Sequence, residues 1–512
     1  MNTNHLGSLF VIFILLNLWG CDLFSTPAGM PSPTSEVSLP PMPSSQQVAA
    51  LIPSAQTALP DLKAAPHYTI ELDLDVQANT FHGLSKVDYI NAEDTPLDEL
   101  NFRLLPNGNK SYGDGWLKVS EVSLDGESSS YELSQDDTVL QINLPKLANP
   151  GESIRLDFEF EGLVPKDFGS EANTSSYGIY NYSKGVFVLS GFFPILAVYD
   201  HQGWNLDPVS LIGDSVYSDI AFYMVTINAP GDLVLVSTGV QLDRRASGNG
   251  VQWHLESGPS RDFFLIASPD FRVTSQSIGE TTINSYYFPE DEAAANQALD
   301  VASDSLKIFT DKFGAYPYSE LDLVEAPLQN AYGVEFPGIF LIRETLYESP
   351  EKPEFAITIA HEVAHQWWYN LVGNNVFDEP WLDEALATYS SILYYEFEKG
   401  KAYQDGLKEY WEDRYDRLVR DGNDDLVTQS LDYFETEGKS RFYSEVVYTK
   451  GALFFQALRQ EVGDQAFFDA LQYYYATNQY RIATAKDLLN TFEQSSGKEL
   501  DVFFQEWLYS KQ

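Results

Sequence analysis

The segment His361-Glu362-Val363-Ala364-His365 is where this 512-residue chain most plainly offers chemistry. Residues four apart on a helix share one face about 5–6 Å apart, so both imidazoles can reach a single Zn²⁺ at ~2.0–2.1 Å. Glu362 projects beside them, placed to take a proton from a water that the metal acidifies. The chain has seven histidines and the two in its second half are these, so a chance match on an amphipathic helix explains them poorly. A third ligand is available in Glu384, with eighteen residues between it and His365, one turn into a helix opened by Pro380. Taken alone it reads as an exposed helix carboxylate; within Trp381-Leu382-Asp383-Glu384-Ala385, at that distance from the histidines, it is the expected ligand. Two neutral imidazoles and one carboxylate leave the metal net positive with an open fourth position, the condition for activating water at neutral pH. One Zn²⁺ per chain is the expected cofactor.

Around these residues the chain resembles the aminopeptidase N and leukotriene-hydrolase type of zinc metallopeptidases, gluzincins whose signature is HExxH, eighteen residues, then Glu. The resemblance runs over roughly residues 67–512. His365-Gln366-Trp367 and Trp381-Leu382-Asp383-Glu384 are similar to the family's HQW and WLNEG segments, with Asp383 in place of Asn and Ala385 in place of Gly. Residues 443–451, Tyr-Ser-Glu-Val-Val-Tyr-Thr-Lys-Gly, resemble the segment that carries the family's catalytic tyrosine. That implies Tyr448 as donor to the oxyanion of a tetrahedral intermediate, worth about 3–4 kcal/mol, and Tyr443 as a residue lining the site.

Tyr332-Gly333-Val334-Glu335-Phe336 is similar to the family's GAMEN strand, with Phe336 in place of the Asn. The resemblance implies that Gly333 and Glu335 bind substrate, Glu335 through its α-ammonium group. Family members supply a second polar anchor some nine residues before a Phe-Pro pair. Here Phe193-Pro194 is present but Gly185 occupies the anchor position, so the amine clamp is expected to be incomplete. The chain also ends where the family's catalytic domain ends, without the helical domain that encloses the site, which predicts a more open cleft. The implied activity is an aminopeptidase acting on peptides or protein N-termini, with an open-cleft endopeptidase or oligopeptidase as the alternative. Outside enzymes the rival is a surface-binding module on a peptidase scaffold; retention of all the core residues argues against it.

The elements that must position these groups are legible as changes of period. Tyr68, Ile70, Leu72, Leu74 and Val76 alternate with polar residues, as do Ile154, Leu156, Phe158 and Phe160, so residues 67–280 read as a β-rich, sandwich- or saddle-like N-terminal domain. Beyond Pro289 the spacing Leu299, Ala302, Leu306, Phe309, Phe313 is helical, and residues 281–512 are expected to form a thermolysin-like α+β, mostly helical catalytic domain. Pro just inside a start and Gly just past an end predict helices from Pro353 to near Gly373 and from Pro380 to near Gly400.

The N-terminus carries an address. Residues 9–19 are an apolar run short of the ~20 residues a spanning helix needs, and Leu18-Trp19-Gly20-Cys21 resembles a bacterial lipobox. Residues 1–21 are therefore expected to be a lipoprotein-type signal with lipidation at Cys21, anchoring an exported protein to a membrane of the bacterial envelope. A secreted or signal-anchored protein is the alternative. Residues 22–66 are rich in Pro and Ser and are expected to form a tether. Cys21 is the only cysteine, which excludes an intramolecular disulfide. A formal charge of −44, from 31 Lys+Arg against 75 Asp+Glu, repels phosphate backbones and excludes nucleic acid as a partner.

Overall fold

Alternation of apolar and polar side chains builds the N-terminal half. Along the strand His67–Asp75, Tyr68, Ile70, Leu72 and Leu74 are buried while Glu71, Asp73 and Asp75 face solvent. This strand pairs antiparallel with Thr80–Ile90 and parallel with Phe222–Ala229 inside an eight-stranded sheet. Two four-stranded sheets pack with it around an aromatic core that includes Phe81, Phe158, Phe160, Phe192 and Phe193. The computed structural model describes residues 47–108, 111–168, 176–214, 216–248 and 250–511. Cys21, the expected signal and the first part of the expected tether lie outside the described residues. Among those described, no helix is long and apolar enough to cross a membrane.

A five-stranded sheet follows: β1 (Arg272–Ile278), β2 (Thr281–Tyr287), β3 (Glu320–Ala326), β4 (Gly333–Phe336) and β5 (Ile339–Arg343), in the order β1-β2-β3-β5-β4. Its two faces serve two cores. Leu321, Leu323, Phe340 and Ile342 join the helical core, whereas Val324, Phe336, Ile339 and Leu341 join the β-rich one. Phe336 stacks on Phe264 with ring centroids 3.8 Å apart, so its ring belongs to this packing. The boundary expected near 280 falls in the turn between β1 and β2, which pair with each other; sheet membership changes between Ser268 and Arg272. The described residues cluster as one compact unit.

The helical layer consists of α1 (Glu292–Phe313), α2 (Pro353–Ala364), α3 (Trp381–Tyr394), α4 (Lys401–Arg420) and α5 (Gly451–Val462), with further helices to the C-terminus. Helix α3 is buried along its whole length, as its apolar residues on every side require. Helix α2 stops sooner than its sequence suggested, at Ala364 instead of near Gly373. Gln366 turns into the sheet, accepting from Gly338 N and donating to Phe336 O. Arg261 then captures Tyr369 O at 2.6 Å. Its guanidinium occupies the space over Gly373, where any Cβ would lie 2.2 Å from Arg261 Cζ.

The expected tether is shorter than its composition indicated. Residues 47–62 form two short 3-10 helices docked on the helical half. Ile52 N donates to Pro317 O and Ser319 N to Ala50 O, while Leu51 and Leu59 enter the helical core. A few apolar side chains at the right places anchor a segment whose averaged composition reads as unstructured.

Candidate metal centre and active-site cleft

Helix geometry brings the first two candidate ligands together. His361 lies in the last turn of α2 and His365 caps it, with their Nε2 atoms 3.0 Å apart. Helix α3 packs across α2 and presents Glu384 from its first turn, where Oε2 is 3.3 Å from His361 Nε2 and 3.4 Å from His365 Nε2. Ligands held ~2.0–2.1 Å from a tetrahedral zinc stand about 3.3 Å from one another. Glu384 Oε2 is buried without a hydrogen-bond donor, as expected of an atom shaped to meet a cation. The three residues therefore fit a metal ion of zinc type.

A second grouping, Glu335, Glu362 and His365, shares one member. His365 Nδ1 faces Trp368 O at 3.0 Å, and donation there turns the lone pair of Nε2 toward Glu384 and His361. The tautomer thus favours the first group. His361 is oriented by Thr388 Oγ1, 3.4 Å from its Nδ1, and the ring of Tyr448 stacks on it at 5.9 Å.

The remaining predicted residues surround this centre. Glu362 is buried, and its carboxylate lies against the backbone of β4: a Cβ at Gly333 would fall 2.2 Å from Glu362 Oε1. Gly333 thus makes room for that carboxylate, and Glu362 Oε2 has no hydrogen-bond partner. Glu335, on the same edge strand, reaches within 3.9 Å of His365 Nδ1. Tyr448 sits on the π-helical segment Ser444–Lys450 and donates its hydroxyl to Glu384 Oε1. Tyr443 packs edge-on against it at 5.6 Å. All face one cleft of about 430 Å³. Gly185 is not there; it occupies the tight turn between the strands Tyr180–Ser183 and Val186–Leu189, with a positive φ of 80°.

Charge in the cleft is unbalanced. Burial, reinforced by Glu335, pushes Glu362 well above the usual carboxylate range. Burial likewise lifts Glu335 to about 7, with His365 opposing and Glu384 adding. Burial would also raise Glu384, but the two imidazoles beside it hold it down to about 2. His365 shows the reciprocal effect: burial disfavours its charge, yet the surrounding carboxylates hold it well above the usual histidine range. Three acids converging on two imidazoles attract a cation.

Sequence reasoning missed the walls of the cleft. Tyr112, Tyr177 and Asp214 arrive from loops of the β-rich half, and Thr388, Trp411, Arg414 and Arg441 from the helical half. Apart from Thr388, none carries a local signature. Thr388 alone had a signal, lying four residues after Glu384 on the same helix.

Residues 297–507 match the family model described as the Peptidase family M1 domain. The chain is 25% identical to Aminopeptidase M1-B of Oryza sativa subsp. japonica over 409 residues, covering 76% of this chain and 45% of that protein. It is 25% identical to Aminopeptidase N of Lactococcus lactis subsp. lactis over 422 residues, covering 77% and 46%. The chain spans about half the length of these relatives. Among solved structures it is similar to an M1 zinc metallopeptidase from Deinococcus radiodurans, with a TM-score of 0.65, 21% identity, and coverage of 87% of this chain and 93% of that one. A mutant of that enzyme bound to a Tyr-Ser-Ala substrate gives a TM-score of 0.64 at 20% identity, covering 88% and 95%. The shared fold is a β-rich N-terminal region followed by a helical region.

Proposed function

We propose that this chain, whose residues 297–507 match the peptidase family M1 domain and which is similar to aminopeptidases N, is a zinc metallopeptidase removing residues from the free N-termini of peptides. The observation that carries the reading is the triangle of His361 Nε2, His365 Nε2 and Glu384 Oε2, with sides of 3.0–3.4 Å, beside the unpartnered oxygen of Glu362. Zinc held there, one per chain, supplies a Lewis acid that polarises a carbonyl and acidifies water.

The chain's own groups do the rest. Glu362 takes the proton of the attacking water and passes it to the departing amine, a role suited to a carboxylate whose proton affinity burial has raised. Tyr448 moves its hydroxyl from Glu384 Oε1 to the oxygen that becomes negative in the tetrahedral intermediate. Thr388 and Trp368 hold the imidazoles in orientation through their Nδ1 atoms. Gly333 and the edge strand β4 line the substrate's backbone, and Glu335 receives its α-ammonium group. Tyr443 forms the wall behind Tyr448. We propose further, from the lipobox-like Leu18-Trp19-Gly20-Cys21 alone, that the enzyme is held outside a bacterial membrane by a lipid anchor at Cys21.

The test compares a tripeptide with its N-acetylated form, with and without Glu335→Ala. A free amine left without its carboxylate should cost the variant about 10²-fold in kcat/KM, and the parent should cleave the acetylated peptide poorly. The second reading, an open-cleft endopeptidase, draws on Gly185, which leaves the amine clamp without its expected second anchor. Equal parent rates on both peptides, unaffected by Glu335→Ala, would select it.

A further inference from the structure

The groups of the site are joined by a succession of contacts. Glu335 lies 3.9 Å from His365, His365 meets His361, Tyr448 stacks on His361, and Tyr443 packs against Tyr448. Two residues before Tyr443 comes Arg441, whose side chain lines the catalytic cleft and also an adjoining basin of about 400 Å³. Arg414 and Arg417, from the last turns of α4, line the same basin. Arg414 is neutralised by Glu445 at 2.8 Å. Arg417 and Arg441 are exposed and have no ion pair among the described residues. The guanidinium of Arg441 lies 4.4 Å from the ring centroid of Phe442, itself packed on the helical core. Stacking restrains the plane of a guanidinium while leaving its N–H fork available.

In a chain with 31 Lys+Arg against 75 Asp+Glu, a basin whose Arg414, Arg417 and Arg441 outnumber its Asp421 and Glu445 runs against the composition. The negative field of the whole molecule does not forbid an anion there, because exposed charges beyond ~8–10 Å are screened at moderate salt. Local arginines decide. The order in which a substrate meets these contacts comes from the peptidase reading, on which this inference rests. With the α-ammonium at Glu335 and the scissile carbonyl beside Tyr448, the leaving part of the substrate extends toward Arg441.

We propose that Arg441, together with Arg417, binds a carboxylate on the leaving side of the substrate and so directs the enzyme to peptides that carry an acidic group shortly after the cleaved bond. That carboxylate has two sources, the C-terminus of a short peptide or an acidic side chain within a longer one.

Binding is read by isothermal titration calorimetry on the zinc-loaded Glu362→Gln protein. One pair of ligands is Ala-Ala-Ala and its C-terminal amide; the other is Ala-Ala-Glu-amide and Ala-Ala-Gln-amide. The carboxylate form should bind about 3–10-fold tighter in at least one pair, and the difference should shrink at high salt. The pair that discriminates identifies the source. Adding Arg441→Gln should bring that ratio close to one, and Arg441→Lys should restore part of it. Equal binding within both pairs overturns the proposal, as does a preference that Arg441→Gln leaves intact. Hydrolysis of the same peptides by the parent protein is scored separately. Selective binding without hydrolysis keeps the carboxylate site and removes the peptidase reading, whereas hydrolysis without selectivity does the reverse.

Discussion

Two residues apart on one helical segment, Tyr448 reaches the His361–His365–Glu384 group and Lys450 reaches Asp424. Both destinations are buried clusters of charge, but they are built on opposite terms. Lys450 is fully buried, and its ammonium donates to both carboxylate oxygens of Asp424 at 3.0 and 3.1 Å, to Asp425 O at 2.7 Å and to Ser510 O at 3.0 Å. Beside it Asp425 is matched by Lys439 and by Lys511. Burial opposes its charge, yet those partners hold its carboxyl well below the usual range. In the cleft, by contrast, acids predominate, and Glu362 Oε2 and Glu384 Oε2 have no donor. A balanced buried cluster ties chain segments together, here the C-terminal residues to the segment that carries Tyr448. An unbalanced one is a receptor for a cation and a proton.

The comparison is broken most decisively at Glu362. Glu362→Gln should lower turnover by about 10⁴-fold while zinc stays at one per chain, whereas Glu384→Ala should lose the metal. Metal analysis alongside rates checks both, and an active Glu362→Gln protein would remove the proton receptor from the cleft. The opposite cluster is tested by Lys450→Met, which leaves Asp424 buried beside an apolar chain. It should cost about 3–5 kcal/mol in a denaturant titration, with zinc still bound to the folded fraction. Loss of zinc without loss of stability would mean that the two clusters are not separate devices.

Tyr448→Phe sharpens the contrast within the shared segment. It removes one hydroxyl without disturbing Lys450, so kcat should fall by about 10²–10³-fold with KM little changed and with stability near that of the parent. A test of a different kind, by pH, concerns Glu325, a buried carboxyl on β3 that belongs to neither cluster. Burial raises it to about 9, above its unfolded value, so its contribution is fully present below about pH 4 and is lost as pH rises toward 9. Unfolding measured across that window should show stability falling by roughly 1 kcal/mol per pH unit at the steepest, and Glu325→Gln should flatten the slope.

What could be read without coordinates was the part governed by local geometry. The spacing of His361 and His365 is a property of any helix, and alternation along His67–Asp75 is a property of any half-buried strand. Tyr448 and Glu335 had no local signature and were singled out by resemblance alone. Beyond reach were contacts between segments distant in sequence. Arg261 ends the turn after α2 by binding Tyr369 O and, 220 residues away, Arg481 O. Leu51 docks a segment whose composition resembles a tether, and Phe336 is claimed by Phe264. Arg441 and Arg417, on separate helical segments, share a basin that no spacing announces. Periodicity records which face of an element is buried, but what that face meets depends on shape and charge supplied by other elements, and those are decided only when the chain has closed on itself.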